Sequence, residues 1–134
     1  MSLRVLLIED DERFRHALTY VLSEIAAVDA VVHAETEIDA MTWLASHPLG
    51  WDLAIVDLFL TQGSGLRVLA GCRVRQARQK VIVLTGSANK EMRRRCADLG
   101  ADAVFDKALP MDELLAYCVA AGARLNTSEA LPAQ

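Results

Sequence analysis

The chain has few cysteines, and none is placed for redox or metal chemistry. Cys72, Cys96 and Cys118 form no C-x-x-C pair, and their odd number completes no disulfide framework. They read as reduced thiols on core or helix-face positions. Long apolar runs are also missing. Nothing approaches the ~20 residues of a membrane span, and no basic segment followed by a long apolar stretch opens the chain as a secretory leader would. Nor is there an excess of basic residues: the formal net charge of −4 argues against non-specific binding to nucleic acid or an acidic membrane. Internal repeats and low-complexity tracts are absent. The expectation is a soluble, cytoplasmic protein.

What is present is a globular composition, with 53% hydrophobic and 24% charged residues in 134. That is one domain's worth of chain, long enough to bury ~65–70% of its unfolded surface without a disulfide or metal. Short apolar runs alternate with amphipathic segments. The runs are Val5-Leu6-Leu7-Ile8, Ala30-Val31-Val32, Leu53-Ala54-Ile55-Val56, Val81-Ile82-Val83-Leu84 and Ala103-Val104-Phe105. Unbroken and mostly β-branched, they predict strands buried on both faces of a parallel sheet.

The intervening segments have helical periodicity. Phe14, Ala17, Leu18, Val21, Leu22 and Ile25 make one stripe; Ile38, Met41, Leu44 and Ala45 make a second, with Thr36 as N-cap. Gly65, Val68, Leu69 and Cys72 mark a third, and Met92, Cys96 and Leu99 a fourth, stopped by Gly100. Met111, Leu114, Leu115, Cys118, Ala121 and Leu125 mark a fifth, entered through Pro110. Five βα units with right-handed crossovers predict an α/β fold, a flavodoxin-like (βα)5 doubly wound parallel sheet of order 2-1-3-4-5. The domain is expected over 1–125, with 126–134 as a tail or the start of a linker.

Ligands of such a sheet bind beyond the carboxyl ends of its strands. Glu9, Asp10 and Asp11 follow the first strand, Asp57 ends the third, Thr85 ends the fourth, and Asp106 and Lys107 follow the fifth. Bringing Asp10 and Asp57 together is costly unless a cation relieves the repulsion. All-oxygen ligation without nearby His or Cys favours Mg²⁺, Ca²⁺ or Mn²⁺ over zinc, and a shallow solvent-facing site suits Mg²⁺. An Asp carboxylate can accept a phosphoryl group covalently, and that group needs charge neutralisation and positioning above all. Lys107 and the Thr85 hydroxyl would hold its oxygens, and Gly86 would leave room for a donor.

The chain resembles the CheY-like receiver domains of two-component response regulators from Arg4 to about Leu125. The resemblance rests on Leu6-Leu7-Ile8-Glu9-Asp10-Asp11, Ile55-Val56-Asp57-Leu58, Gly63-Ser64-Gly65-Leu66, Val83-Leu84-Thr85-Gly86, Gly100-Ala101-Asp102 and Asp106-Lys107. It implies that Asp57 accepts a phosphoryl group from a sensor histidine kinase or phosphotransfer protein. It implies Mg²⁺ held by Asp10 directly, Glu9 through water, Asp57, and the backbone carbonyl of Phe59. Lys107 would pair with the phosphoryl oxygens and Thr85 would carry the switch; Asp11 falls outside the ligand set. The signalling face would be the fourth helix, fifth strand and fifth helix, with Lys90, Arg93, Arg94, Val104 and Phe105 on it. The domain would catalyse only its own phosphorylation and dephosphorylation. It would act on a downstream protein or through an output domain beyond Gln134, with dimerisation on phosphorylation as one route and no direct contact to nucleic acid or membrane.

Three positions depart from the family pattern. Ala108 follows Lys107 where proline usually forms a cis peptide, and a non-proline cis bond costs ~2.5–4 kcal/mol. This leaves open a trans loop of different shape or stored strain. Thr61 stands where a turn proline is common. Val104 holds the usual place of the switch aromatic, and Phe105 is out of phase with it at period two. Phe59, which like Ser87 sits where access of water is controlled, cannot orient water, so slow self-dephosphorylation is expected. The departures at Val104, Thr61 and Ala108 keep a second reading open, a receiver-like interaction module that is not phosphorylated. An Asp-nucleophile phosphatase would want an acid where Phe59 stands, and a flavin carrier would want an uncharged first loop.

Away from the site, Arg73, Arg75, Arg78 and Lys80 read as solvated charges, as do Lys90 and Arg93–Arg95 apart from the resemblance. His16, His33 and His47 share no metal spacing. Trp43 and Trp51 are expected at helix–sheet margins.

Overall fold

The computed structural model describes residues 3–25 and 27–130, the last five by backbone alone. In chain order the elements are β1 (Leu3–Ile8), α1 (Glu12–Ser23), β2 (Val28–Ala34), α2 (Glu37–Ser46) and β3 (Leu53–Asp57). They continue as α3 (Gly65–Gly71), β4 (Lys80–Thr85), α4 (Lys90–Asp98), β5 (Ala103–Asp106) and α5 (Asp112–Ala130). All neighbouring strands are parallel, in the order β2-β1-β3-β4-β5. This is the doubly wound flavodoxin-like sheet that the alternating pattern predicts.

Alternation along the central strands sorts the core into two layers. Leu6, Ile8, Ala54, Val56, Val81 and Val83 face α2, α3 and α4 through Ala40, Val68, Leu69 and Cys96. Val5, Leu7, Leu53, Ile55, Ile82 and Leu84 face α1 and α5 through Leu18, Leu22, Leu114 and Cys118. Three helices, α1, α2 and α4, start on side-chain caps: Asp11 accepts from the Phe14 N–H at 3.1 Å, Thr36 from Asp39 at 3.0 Å, and Asn89 from Met92 at 2.8 Å. Gly100 ends the α4 segment at φ 98°, a left-handed conformation suited to glycine.

Burial on both faces holds for β1, β3 and β4 but not for the edges. In β2 only Ala34 is buried, with Val32 37% exposed, and β5 is half-buried throughout. An edge strand has one neighbour and less helical cover, so an apolar run there does not imply a covered strand. The α1 stripe is also rotated from its expected phase: Ala17 is exposed and Arg15 is buried beside Leu18 and Leu22. Helix α5 continues through 126–130, where a tail or linker was expected; no Gly or Pro interrupts the chain between Gly122 and Pro132. Residues 131–134 lie outside the described residues. Trp51 is buried in the core, deeper than a margin, whereas half-buried Trp43 stacks on His47 at 4.4 Å. All three cysteines are free and buried; burial pushes the Cys72 thiol up to about 11 and the Cys118 thiol up to about 12. Among the described residues, no helix is long and apolar enough to cross a membrane.

Two arginines expected in solvent instead pin the sheet from below. Arg75 donates to the carbonyls of Cys72, Gln79 and Gly100 and to the Asp102 carboxylate, all within 2.9 Å. Arg78 pairs with buried Asp52, which also accepts from the Arg4 N–H at 2.8 Å and its guanidinium at 3.1 and 3.2 Å. Burial alone would raise the Asp52 carboxyl, but the hydrogen bonds and charge of Arg4, with the charge of Arg78, hold it below its ordinary value. A lowered folded-state pKa gives stability that is present above the unfolded value and lost as pH falls through the folded one. Asp52→Asn should therefore cost about 2–3 kcal/mol at pH 7, the scale of hydrogen bonds to a buried charge. In urea unfolding the gap between the two proteins should narrow as pH drops below ~4; a gap unchanged by pH would refute this assignment.

Candidate functional site

The carboxyl ends of β1, β3, β4 and β5 lie side by side, and parallel register makes that so. Ile8 pairs with Val56, Asp57 with Leu84, and Thr85 with Asp106. The last residues of these strands and the first residues past them therefore meet at one edge. Glu9, Asp10 and Asp57 each place a carboxylate oxygen within 4.8 Å of the others. Lys107 reaches in from beyond β5, with Nζ 2.6 Å from Glu9 Oε1 and 3.6 Å from Asp57 Oδ2. Its ammonium also lies 4.5 Å from the centre of the Phe14 ring, a cation–π distance. The Lys107 backbone is fixed by donation from its N–H to the Thr85 carbonyl at 3.0 Å.

The electrostatics follow from this crowding. Glu9 is 1% exposed and Asp57 5%. Burial, then the adjacent Asp57, push the Glu9 carboxyl up to about 7 against the opposing pull of Lys107. Asp10 is only partly buried; hydrogen bonds from Thr61 outweigh its desolvation and lower it. The Thr61 N–H donates to Asp10 Oδ2 at 2.5 Å. For Lys107, desolvation acts downward, but its bond to Glu9 and the charges of Asp57 and Glu9 raise it above the ordinary lysine value, so it is cationic at neutral pH. Three acids with one ammonium leave surplus negative charge in a confined space. A hard divalent cation with oxygen preference fits that donor set.

Other residues fall into place around this cluster. Asp11, adjacent to the acid pair, is spent on capping α1. Thr85 is fully buried, its hydroxyl accepting from the Ser87 N–H at 3.2 Å. The Phe59 side chain is 58% exposed beside the site, and its N–H donates to Asp57 Oδ1 at 3.2 Å. A Cβ built on Gly86 meets nothing within 4 Å, so the room there is open and owes nothing to the missing side chain. The Lys107–Ala108 peptide is trans. A cavity of about 270 Å³ adjoins Lys107, walled by Phe14, Phe105, Leu109 and Met111. Val104 packs in the α4-side core and Phe105 in the α5-side core, edge-on to Tyr117 at 5.9 Å, as period two requires. Lys90, Arg93 and Arg94 are all exposed on α4, and the Arg93 guanidinium also donates to the Ala88 and Val104 carbonyls.

Three contributors carry weak sequence signals. Buried Arg15 donates to the Glu9 carbonyl at 3.1 Å and pairs with Glu35 at 3.0 Å, holding the end of β1. Its spacing from Leu18 and Leu22, three and seven residues, is the signal that could have found it. Glu37 accepts from the Ser64 N–H at 2.8 Å, and its own N–H donates to Gln62 at 3.1 Å. With the Thr61–Asp10 bond, this fastens the loop after β3 at Thr61, Gln62 and Ser64. A backbone donor such as Thr61 N–H leaves no trace in side-chain pattern.

A five-stranded parallel sheet of order 2-1-3-4-5 that gathers three acids and a lysine at one edge defines a flavodoxin-like α/β domain with an acidic site at its strand ends. The chain belongs to the response regulator receiver domain family, which it matches over residues 5–118. It is 36% identical over 126 residues to the transcriptional regulatory protein KdpE of Mycobacterium tuberculosis, covering 94% of this chain and 53% of that protein. It is 32% identical over 115 residues to the cell cycle response regulator CtrA of Brucella ovis, covering 85% of this chain and 47% of that protein. The chain thus spans about half the length of these curated relatives. Among solved structures it is similar to a response regulator from Burkholderia pseudomallei with a phosphorylated aspartic acid, a calcium ion and citrate. The TM-score is 0.75 at 26% identity, over 96% of this chain and 74% of that one.

Proposed function

We propose that this receiver domain is a phosphorylation-dependent signalling switch whose acceptor is Asp57. The observation that carries the reading is the convergence of Glu9, Asp10 and Asp57 within 4.8 Å, with the Lys107 ammonium inserted between Glu9 and Asp57. The donor is a phosphohistidine of a sensor kinase or phosphotransfer protein. An Asp57 carboxylate oxygen forms the new O–P bond as the donor's N–P bond breaks, and the imidazole leaves with the electron pair. Glu9, Asp10, Asp57 and the Phe59 carbonyl are the residues that would hold Mg²⁺, which when bound supplies charge neutralisation for the phosphoryl oxygens. Lys107 moves from Glu9 toward the phosphoryl group, and the Thr85 hydroxyl turns from Ser87 to donate to it. The chain turns over no separate substrate. Its output passes through the α4–β5–α5 face, either to a protein partner or to an attached effector domain.

Exposed, apolar Phe59 cannot hold a water in line with the acyl phosphate. The phosphorylated wild type should outlive a phosphorylated Phe59→Asn variant, measured as loss of label after removal of donor; a shorter wild-type lifetime would contradict this role.

One observation favours a second reading, an interaction module that is never phosphorylated: Lys107 is engaged 1 Å more closely with Glu9 than with Asp57. Titration with beryllofluoride and Mg²⁺ separates the two. The switch reading expects amide shifts at Asp57, Thr85 and Lys107, and an unchanged spectrum would favour the module.

A further inference from the structure

We infer that Arg93 is the coupling residue of this switch, its guanidinium tying the loop after Thr85 to the free edge of β5 where the family's aromatic is replaced by Val104. The inference rests on the phosphoacceptor reading above and names how that site would reach the signalling face.

The connection is continuous from residue to residue. Thr85 Oγ1 accepts from the Ser87 N–H at 3.2 Å, which holds the start of the loop 86–89. The carbonyl of the following residue, Ala88, accepts from Arg93 Nε at 3.0 Å. The same guanidinium donates through Nη1 to the Val104 carbonyl at 2.9 Å. Its backbone N–H is bonded to the Asn89 carbonyl at 2.9 Å, so Arg93 is fixed to the loop at two points and to β5 at a third. β5 is the edge of the sheet, bonded to β4 alone, so an outward carbonyl is available to a side chain. A planar, forked donor can span two carbonyls at once; an ammonium cannot do so in the same geometry.

The side chain of Val104 is packed in the core on the α4 side and has no polar atom or ring that could swing between positions. A rotameric β5 residue therefore cannot transmit the state of Thr85. When the Thr85 hydroxyl turns to a phosphoryl oxygen, Ser87 loses its acceptor. The loop then has open space to shift into, since even an added Cβ on Gly86 meets nothing within 4 Å. Ala88 moves with the loop, and Arg93 carries that movement to α4 and the β5 edge together. In this chain the bistable element is the loop–arginine bridge.

The test uses the whole chain with beryllofluoride and Mg²⁺, read by amide spectra at two places. Asp57, Thr85 and Lys107 report loading; Leu99, Ala103 and Tyr117 report the distant face, and none of their amides shares a peptide group with a carbonyl that Arg93 binds. Arg93→Ala and Arg93→Lys should both load as wild type does, because Arg93 contacts no site residue. In both, the response of the distant reporters should fall by at least about twofold at full loading, the scale of a lost coupling element. Arg93→Lys keeps the charge, so a wild-type response from it would overturn the bridge. An undiminished response from Arg93→Ala, or loss of loading in either variant, would overturn the inference as well. Failure of the wild type itself to load is a separate result and overturns the phosphoacceptor reading.

Discussion

An Asp57→Asn chain should take up no phosphoryl group from a small acyl-phosphate donor under conditions that label the wild type. The substitution preserves the side chain's volume at a position only 5% exposed, so the fold has no steric reason to respond. It replaces the nucleophilic oxygen pair with an amide whose nitrogen is not a nucleophile at neutral pH. Removal of a nucleophile costs at least about 10³-fold, which places residual labelling below detection in a mobility-shift gel or intact mass. Glu9 and Asp10 are close enough to act as substitutes, and label on the variant would move the acceptor to one of them. Stability should not fall, because Asp57 is among the groups that push Glu9 upward. Removing one of two crowded carboxylates relieves that repulsion. An unlabelled variant that also unfolds early would show that the loss reports damage to the fold.

The second large effect is independent of any function. Gly65 opens α3 directly against the end of β3, its N–H donating to the Leu58 carbonyl at 3.1 Å. A Cβ added there would lie 2.0 Å from the Asp57 carbonyl oxygen and 2.5 Å from Leu58 Cα. Both are backbone atoms at the end of β3 and the start of the loop that follows it, so no side chain can rotate away to make space. Gly65→Ala should destabilise by about 3 kcal/mol or more, at or beyond the upper end of overpacking costs. Urea unfolding at pH 7 measures it. Gly86→Ala is the matched control, since its added carbon meets nothing and the change should stay within about 0.5 kcal/mol. Equal effects at the two positions would refute the steric account.

The acids at the strand ends could be located without coordinates because topology dictates their meeting. Once β1, β3 and β4 are recognised as parallel and adjacent, Asp10, Asp57 and Thr85 have nowhere else to go. The same logic placed Lys107 and separated Val104 from Phe105. What could not be read was the partner of each charge. Arg78 reaches Asp52 across 26 positions and Arg4 reaches it across 48; a charged residue in a list shows its sign but not what it faces. Periodicity was similarly blind to edges, where β2 and β5 have the same residue types as central strands but less cover. Arg15 was missed because a long cationic side chain on an apolar stripe is ordinarily assigned to solvent.

The three thiols make the folded chain a probe of its own opening. Cys72 and Cys96 belong to one layer of the core and Cys118 to the other. Each is sealed from solvent and held in its unreactive protonated form. An alkylating reagent in excess can therefore reach them only through excursions that expose the interior. Comparing the trapping rates of the three would show whether the two layers come apart as one cooperative unit or separately. No tag or engineered label is needed, and the reading can be taken with and without a ligand at the acidic edge.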